Sequence, residues 1–146
     1  MAEGLKLDLT DPGRFSHWAA DTLRYCDTDR QGHINNIAFA TFCETGRMKF
    51  LLDRPAPLEP AGHSFVIARL AIDFRGEMRW PGEVRIGTAT LSIGRSSFTL
   101  GQGLFVDEAC VATAESVVVL TDEATRRSAH LPEDARARLS ELLLKA

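Results

Sequence analysis

Residues 25 to 36 read YCDTDRQGHINN, which puts Asp27, Asp29, Arg30, Gly32, His33, Asn35 and Asn36 into one short stretch. A carboxylate can attack an acyl carbon or take a proton from water, and a histidine can orient or share that work. The next residues are IAFATFCETGRMKFLLDRP. From Ile37 to Phe42 they are apolar on every face except at Thr41. A helix that starts here presents unpaired backbone N–H groups and a partial positive charge. Such donors suit a developing oxyanion or a polarised thioester carbonyl. Carboxylate, glycine turn and helix start, within eight residues, make a compact candidate for acyl transfer.

Three rival uses of the same residues compete. Asp and Asn are common turn and cap residues, so Asn35 or Asn36 could cap the helix and Gly32 could supply a positive backbone angle. That accounts for the glycine and one asparagine, and poorly for the density of the other groups. A calcium loop is the second rival: Asp27, Asp29, Gln31, Gly32 and Asn35 fall in register with an EF-hand. The bidentate Glu that should close the loop is replaced by Ala38, and no entering helix precedes it. The third is a phosphatase-type Asp-x-Asp nucleophile, which should follow an apolar parallel strand. Here Leu23-Arg24-Tyr25-Cys26 precede it, and the later chain shows no alternation of strand and helix.

The motif needs elements on both sides to hold it. His17 to Tyr25 is a short strand leading in. The helix after the motif, apolar nearly all round at its start, is expected to be buried and to end by Asp53, Pro55 and Pro57. FVIARLAIDFR alternates, with Val66, Ala68, Leu70, Ile72 and Phe74 on one face, and reads as a strand. After GEMRWPG come three more strands: VRIGTATLSI, SFTLGQGLFV and ACVATAESVVVL. Gly94-Arg95-Ser96 and Asp107-Glu108 join them as tight turns, so neighbours are antiparallel. LPEDARARLSELLLKA reads as a surface helix, with Pro132 in its first turn. Asp11-Pro12-Gly13 marks a turn near the start. The fold class is therefore α+β: one helix wrapped by a curved antiparallel sheet of about five strands, with a short C-terminal helix. Apolar surface left over on such a sheet predicts self-association.

Bulk properties narrow the partners. The 146 residues make a single domain, 1–146, that can bury a sizeable core. They are 45% hydrophobic and 25% charged, with a net charge of −3. That balance argues against nucleic acid, and no polybasic patch invites an anionic membrane. The first twenty residues lack a basic leader and apolar core, and no window is apolar enough to span a bilayer. Cys26, Cys43 and Cys110 are few, odd in number and not in metal-ligand spacing, which predicts reduced thiols and a cytoplasmic protein.

DTDRQGHINNIAFATFCETGR resembles the signature of hotdog-fold acyl-CoA thioesterases of the 4-hydroxybenzoyl-CoA thioesterase type. The resemblance rests on Asp27, Asp29, Gly32, His33, Asn35, Asn36, Phe39, Glu44 and Arg47. It extends to IGRSSFTLGQGLF and to VVVLTDEATRRSAHLPEDAR, and so covers nearly the whole chain. It implies a hotdog fold, a homodimer often paired into a homotetramer, and active sites at the subunit interface. It also implies no metal or redox cofactor, with acyl-CoA as the substrate. Asp29 matches the catalytic aspartate, as nucleophile or general base. Asn36 and Ile37 match the backbone N–H donors, and His33 a histidine that orients the site or contacts the thioester. Asn35 reads as holding the loop and Glu44 as a structural partner of Arg47. Phe39 stands where many relatives have tyrosine. The phosphates of CoA need basic or hydroxyl groups, for which Arg95, Ser96 and Ser97 are the candidates, with Arg75 and Arg79 as further ones. Phe42, Met48, Phe65 and Ile67 are expected to shape the acyl pocket. A non-catalytic acyl-thioester binder on the same fold is the alternative. A hotdog dehydratase is disfavoured, because its histidine and carboxylate come from different segments.

Overall fold

A computed structural model describes residues 8–146. Residues 1–7, part of the stretch read for a leader, lie outside the described residues. The chain forms β1 (His17–Thr22), α1 (Asn36–Leu52), β2 (His63–Phe74), β3 (Glu83–Ile93), β4 (Ser97–Val106), β5 (Ala109–Asp122) and α2 (Glu133–Glu141). The strands make one antiparallel sheet in the order β1-β3-β4-β5-β2. The α+β architecture read from the sequence is present, with five strands, a 17-residue main helix and a short C-terminal helix.

The predicted turns fix the strand registers. Gly94-Arg95-Ser96 joins β3 to β4, and Asp107-Glu108 joins β4 to β5 with φ of 49° and 68°. Two successive positive φ angles match the right-handed twist of a two-residue hairpin. Register shifts leave one extra residue in each of three strands, Ala68 in β2, Leu91 in β3 and Val111 in β5. Such bulges bend a strand locally.

α1 packs across β1, β3 and β4. Phe39, Phe42 and Cys43 on its first half join Leu23, Ile34 and Met78 in one core cluster. Phe50 and Leu51 on its last turns join Phe98, Leu120, Leu131 and Leu139 in another. Between them Gly46 lies so close to the sheet that a Cβ there would collide with the Ile86 side chain and the Gln102 amide. The glycine costs helix propensity but permits that approach.

Three expectations need correction. β1 ends at Thr22, not Tyr25, because Leu23 turns into the core and its N–H bonds the Gly82 carbonyl at 2.9 Å. A 3-10 turn over Tyr25–Asp27 follows. The C-terminal helix starts at Glu133, with Pro132 as its cap, and stops at Glu141. Beyond it Leu142 O and Leu144 N bond the N–H and C=O of Thr90, beside the bulge in β3.

The third correction concerns burial. α1 is not enclosed all round: Ile37 is 75% exposed, and Met48 and Leu52 are exposed too. On β2, Val66, Ile67, Leu70 and Phe74 are exposed as well, the leftover apolar sheet surface that the sequence led one to expect. β2 is an outer strand, and α1 lies over the other side of the sheet. The apolar pattern records a demand for burial that the described residues of this chain do not meet.

Candidate active site

The motif folds into a closed loop. Thr28 and Ile34 form an antiparallel bridge, and Asn35 N bonds the Asp27 carbonyl at 2.7 Å. Inside it Asp29 N bonds the His33 carbonyl at 2.7 Å, and Gly32 N bonds the Asp29 carbonyl at 3.0 Å. Gly32 has φ of 83°, a conformation that disfavours a side chain.

The two aspartates do different things. Asp27 is mostly buried and clamped by Arg24, with Nε and Nη2 at 2.8 and 3.0 Å from its two oxygens. This is a charge-assisted fork that braces the loop. Asp29 is exposed. Its Oδ1 accepts from the N–H groups of Gln31 at 2.8 Å and His33 at 3.1 Å. Those bonds orient the carboxylate and leave Oδ2 without a bond among the described residues, so that it could serve as a base or nucleophile.

At the helix start, Asn35 is the cap: its side chain accepts from Ile37 N at 2.9 Å, and Ala38 N bonds its carbonyl at 2.9 Å. The Ile37 N–H, one of the two expected donors, is therefore spent on the cap. Asn36 N–H has no such bond among the described residues and is the donor left at the helix start.

His33 is held from the β2–β3 connection. Its Nε2 lies 3.0 Å from Glu77 Oε2 and 2.8 Å from Arg79 Nη2. Arg79 can only donate, so its bond needs an unprotonated Nε2, whereas the bond to Glu77 needs Nε2–H. One nitrogen serves one partner at a time, so the ring's protonation decides which neighbour it holds. Glu77 was not among the residues singled out in the sequence. The only trace of it there is a charged residue in a short loop, GEMRWPG, with no spacing to mark it.

From Ile37 an open groove runs between α1 and β2. Its first stretch, of about 410 Å³, is lined by Ile37, Ala40, Thr41 and Leu70. A second stretch, of about 440 Å³, continues past Met48, Leu52 and Phe65. Glu44, Arg47 and Ile67 line both and join them. Of the residues expected to shape a pocket, Met48, Phe65 and Ile67 do line this groove, whereas Phe42 points into the core. Phe39 is also buried, edge-on to Phe74 with ring centres 5.1 Å apart.

The expected pairing of Glu44 with Arg47 is absent. Glu44 is exposed and Arg47 is 7% exposed, with Nη1 buried and unbonded. Burial lowers the pKa of the Arg47 guanidinium, while Cys43 and Glu44 push it back up. Burial likewise raises the Cys43 thiol to about 11, so it stays protonated and unreactive.

Of the phosphate candidates, Arg79 lies at the motif, against His33, and the others do not. Arg95, Ser96 and Ser97 sit at the opposite end of α1, beside the second core cluster. There Leu131 N and Leu120 N bond the carbonyls of Arg95 and Ser96, and Arg136 holds Gly94 O at 2.6 Å. A helix of this length spans about 25 Å, so one copy does not bring that turn to Asp29. Arg75 lines a separate hollow of about 740 Å³ with Asp8, Thr10, Asp73 and Glu115. Among the described residues no three His, Cys, Asp or Glu side chains cluster to hold a metal. No described helix is long and apolar enough to cross a membrane.

Comparison with known proteins decides the family. The thioesterase-like superfamily matches residues 23–139. The chain belongs to that superfamily. Among solved structures, a thioesterase from Thermus thermophilus complexed with coenzyme A and Zn is similar at 29% identity. The match covers 88% of this chain and 94% of that one, with a TM-score of 0.76. A predicted thioesterase from Bacillus stearothermophilus is 26% identical over 89% and 98% of the two chains, TM-score 0.77. The DHNA-CoA thioesterase of Staphylococcus aureus shares the fold at 18% identity, covering 86% and 89%, TM-score 0.77. A search of curated proteins gave no match. The superfamily's hotdog fold accounts for the element order, and the matched residues include the loop that ends at Asn36.

Proposed function

We propose that this protein is an acyl-CoA thioesterase, releasing a carboxylic acid and free CoA. The observation that carries the reading is Asp29, with one carboxylate oxygen anchored by two backbone N–H groups and the other without a bond among the described residues. It stands on the loop that leads straight into the helix start and the groove.

The chemistry then uses few parts. The acyl chain lies in the groove past Ile37, and the Asn36 N–H polarises the thioester carbonyl. Asp29 Oδ2 either attacks the acyl carbon, forming a mixed anhydride that water cleaves, or takes a proton from the attacking water. In both routes the C–S bond breaks and the CoA sulfur takes a proton. The water oxygen ends in the product acid or, where water attacks the anhydride at its Asp29 carbon, in the regenerated carboxylate. His33, balanced between Glu77 and Arg79, orients the loop beside it. No metal or redox group is assigned a step.

The same reading takes the active unit as a homo-oligomer. An outer strand with exposed Val66, Ile67 and Leu70 is a template for pairing with another chain. A two-fold contact through β2 would cover that surface and run the two strands antiparallel. It would also carry the Arg95–Ser97 turn of one copy toward the helix start of the other. This supports a CoA site shared between subunits.

The test is thiol release from short, long and aromatic acyl-CoAs by wild type and Asp29→Asn. Asparagine keeps the Oδ1 acceptor for Gln31 and His33, so the fold should survive. A loss of about 10² or more in kcat supports the assignment. Equal turnover by both proteins would remove Asp29 from the chemistry. Binding of acyl-CoA without turnover by the wild type would favour the non-catalytic binder.

A further inference from the structure

Arg47 is a buried cation that feels the charge of Glu44 but forms no ion pair with it among the described residues. It is 7% exposed, its Nη1 is buried and unbonded, and it makes no ion pair among the described residues. A buried guanidinium left unpaired is strongly unfavourable, and an approaching carboxylate removes that cost. Its position is specific as well. Arg47 lies where the two stretches of the groove meet. It is ten residues after Ile37, about 15 Å of helix rise, shortened because helical side chains lean toward the helix start. Between the two ends Ile37, Ala40, Ile67 and Leu70 give apolar wall, with Thr41, Glu44 and Arg69 as the polar residues that also line it.

A groove with a carbonyl-polarising N–H at its mouth, a largely aliphatic wall and a buried cation at depth matches one kind of acyl group. We propose that Arg47 is a specificity residue that pairs with a carboxylate at the far end of the acyl chain. The preferred substrates are then CoA monothioesters of dicarboxylic acids. A neutral methyl end would leave the guanidinium unpaired and forfeit that interaction. The inference rests on the thioesterase reading for the reaction; the pairing itself is a property of binding. The competing occupant is a carboxylate from a second copy. It is less favoured because Glu44, the nearest acid on this face, is exposed at the rim, whereas Arg47 is sunk below it, within reach of a slender chain lying in the groove.

The experiment compares ω-carboxyl acyl-CoAs with methyl-ended acyl-CoAs of matched length, using wild type, Arg47→Met and Arg47→Lys. Methionine is apolar and of comparable reach, so the buried site stays filled. Each protein is followed by kcat/KM, by calorimetric binding and by sedimentation. Wild type should favour the ω-carboxyl member by about tenfold or more. Arg47→Met should lose about 10²-fold on that member, with the methyl-ended one changing by less than about threefold. Arg47→Lys should retain part of the preference. Equal use of both members by wild type overturns the proposal, as does an equal loss on both in Arg47→Met. Dissociation of Arg47→Met with preference unchanged assigns the cation to a second copy instead. If no thioester is hydrolysed, the reaction reading fails by itself. The calorimetric preference and its loss in Arg47→Met then decide the pairing.

Discussion

The loop before α1 and the far end of the helix are built to opposite plans. At its start the helix meets a polar, partly exposed loop in which Arg24 clamps Asp27, while Asp29 and Asn35 satisfy backbone groups and Asp29 Oδ2 has no bond among the described residues. At its end Phe50 is fully buried among Phe98, Leu120, Leu131 and Leu139, under the cover of α2. Burying side chains of that size is worth about 1.5–3 kcal/mol each, whereas an exposed carboxylate contributes little to holding a fold together. The helix itself is anchored at both ends, by Phe39 and Phe42 as well as by Phe50, and it is the loop before it, where the proposed chemistry sits, that adds little to stability. Rate and stability should therefore separate between loop and helix.

The sharpest break of that contrast is at the far end. Phe50→Ala should cost about 3–5 kcal/mol, the range for large core truncations, read as a shift in urea midpoint. The fraction that remains folded should keep its kcat, because Phe50 touches neither the loop nor the groove's mouth. A lower kcat in the folded fraction would show that the two ends are coupled.

At the near end the balance should invert. Asn35→Ala removes the acceptor for Ile37 N–H and costs about 1 kcal/mol, as loss of a helix cap does. It also frees the hinge between the Asp29 loop and the Asn36 donor. Misplacing a catalytic group by a fraction of an ångström is expensive in rate, so kcat should fall by about tenfold, more than the small stability loss would give. A variant that loses stability alone would reduce Asn35 to a structural cap.

That contrast was only half visible in the sequence. Strand alternation and turn chemistry are local, so the hairpins at Gly94–Ser96 and Asp107–Glu108 and the placing of the motif before a helix could be read directly. The cap could be read too, because Asn at a helix start has few other uses. Which end of the molecule each residue joins depends on topology. Arg95–Ser97 could be named for phosphate by residue type, but their distance from the motif is set by the sheet order, which no local pattern gives. Glu44 and Arg47 have the spacing of a helical ion pair, yet packing draws Arg47 inward while Glu44 stays out. The groove was partly legible, since Met48, Phe65 and Ile67 were expected to line a pocket and do, but its course past Ile37 and Leu70 was not: an apolar pattern marks surface that wants cover and does not say what supplies it.

The smallest effect lies at the far end and depends on pH. His17, on β1, packs edge-on against Phe50 with ring centres 5.4 Å apart, and its Nε2 is 3.2 Å from Asp53 Oδ2. Burial pulls its pKa below the ordinary 6.5, and the bond and charge of Asp53 only partly oppose this. The unfolded chain therefore binds a proton there more readily than the folded one. By linkage, this contribution is fully present above the ordinary histidine value and is lost as pH falls through and below it. Other groups titrate in the same range, so the wild-type profile alone does not isolate it. The difference between wild type and His17→Gln does: their thermal midpoints should converge as pH drops from neutral toward 5. A gap that widens on acidification would mean that the Asp53 pair outweighs burial, and that this end of α1 is held partly by charge.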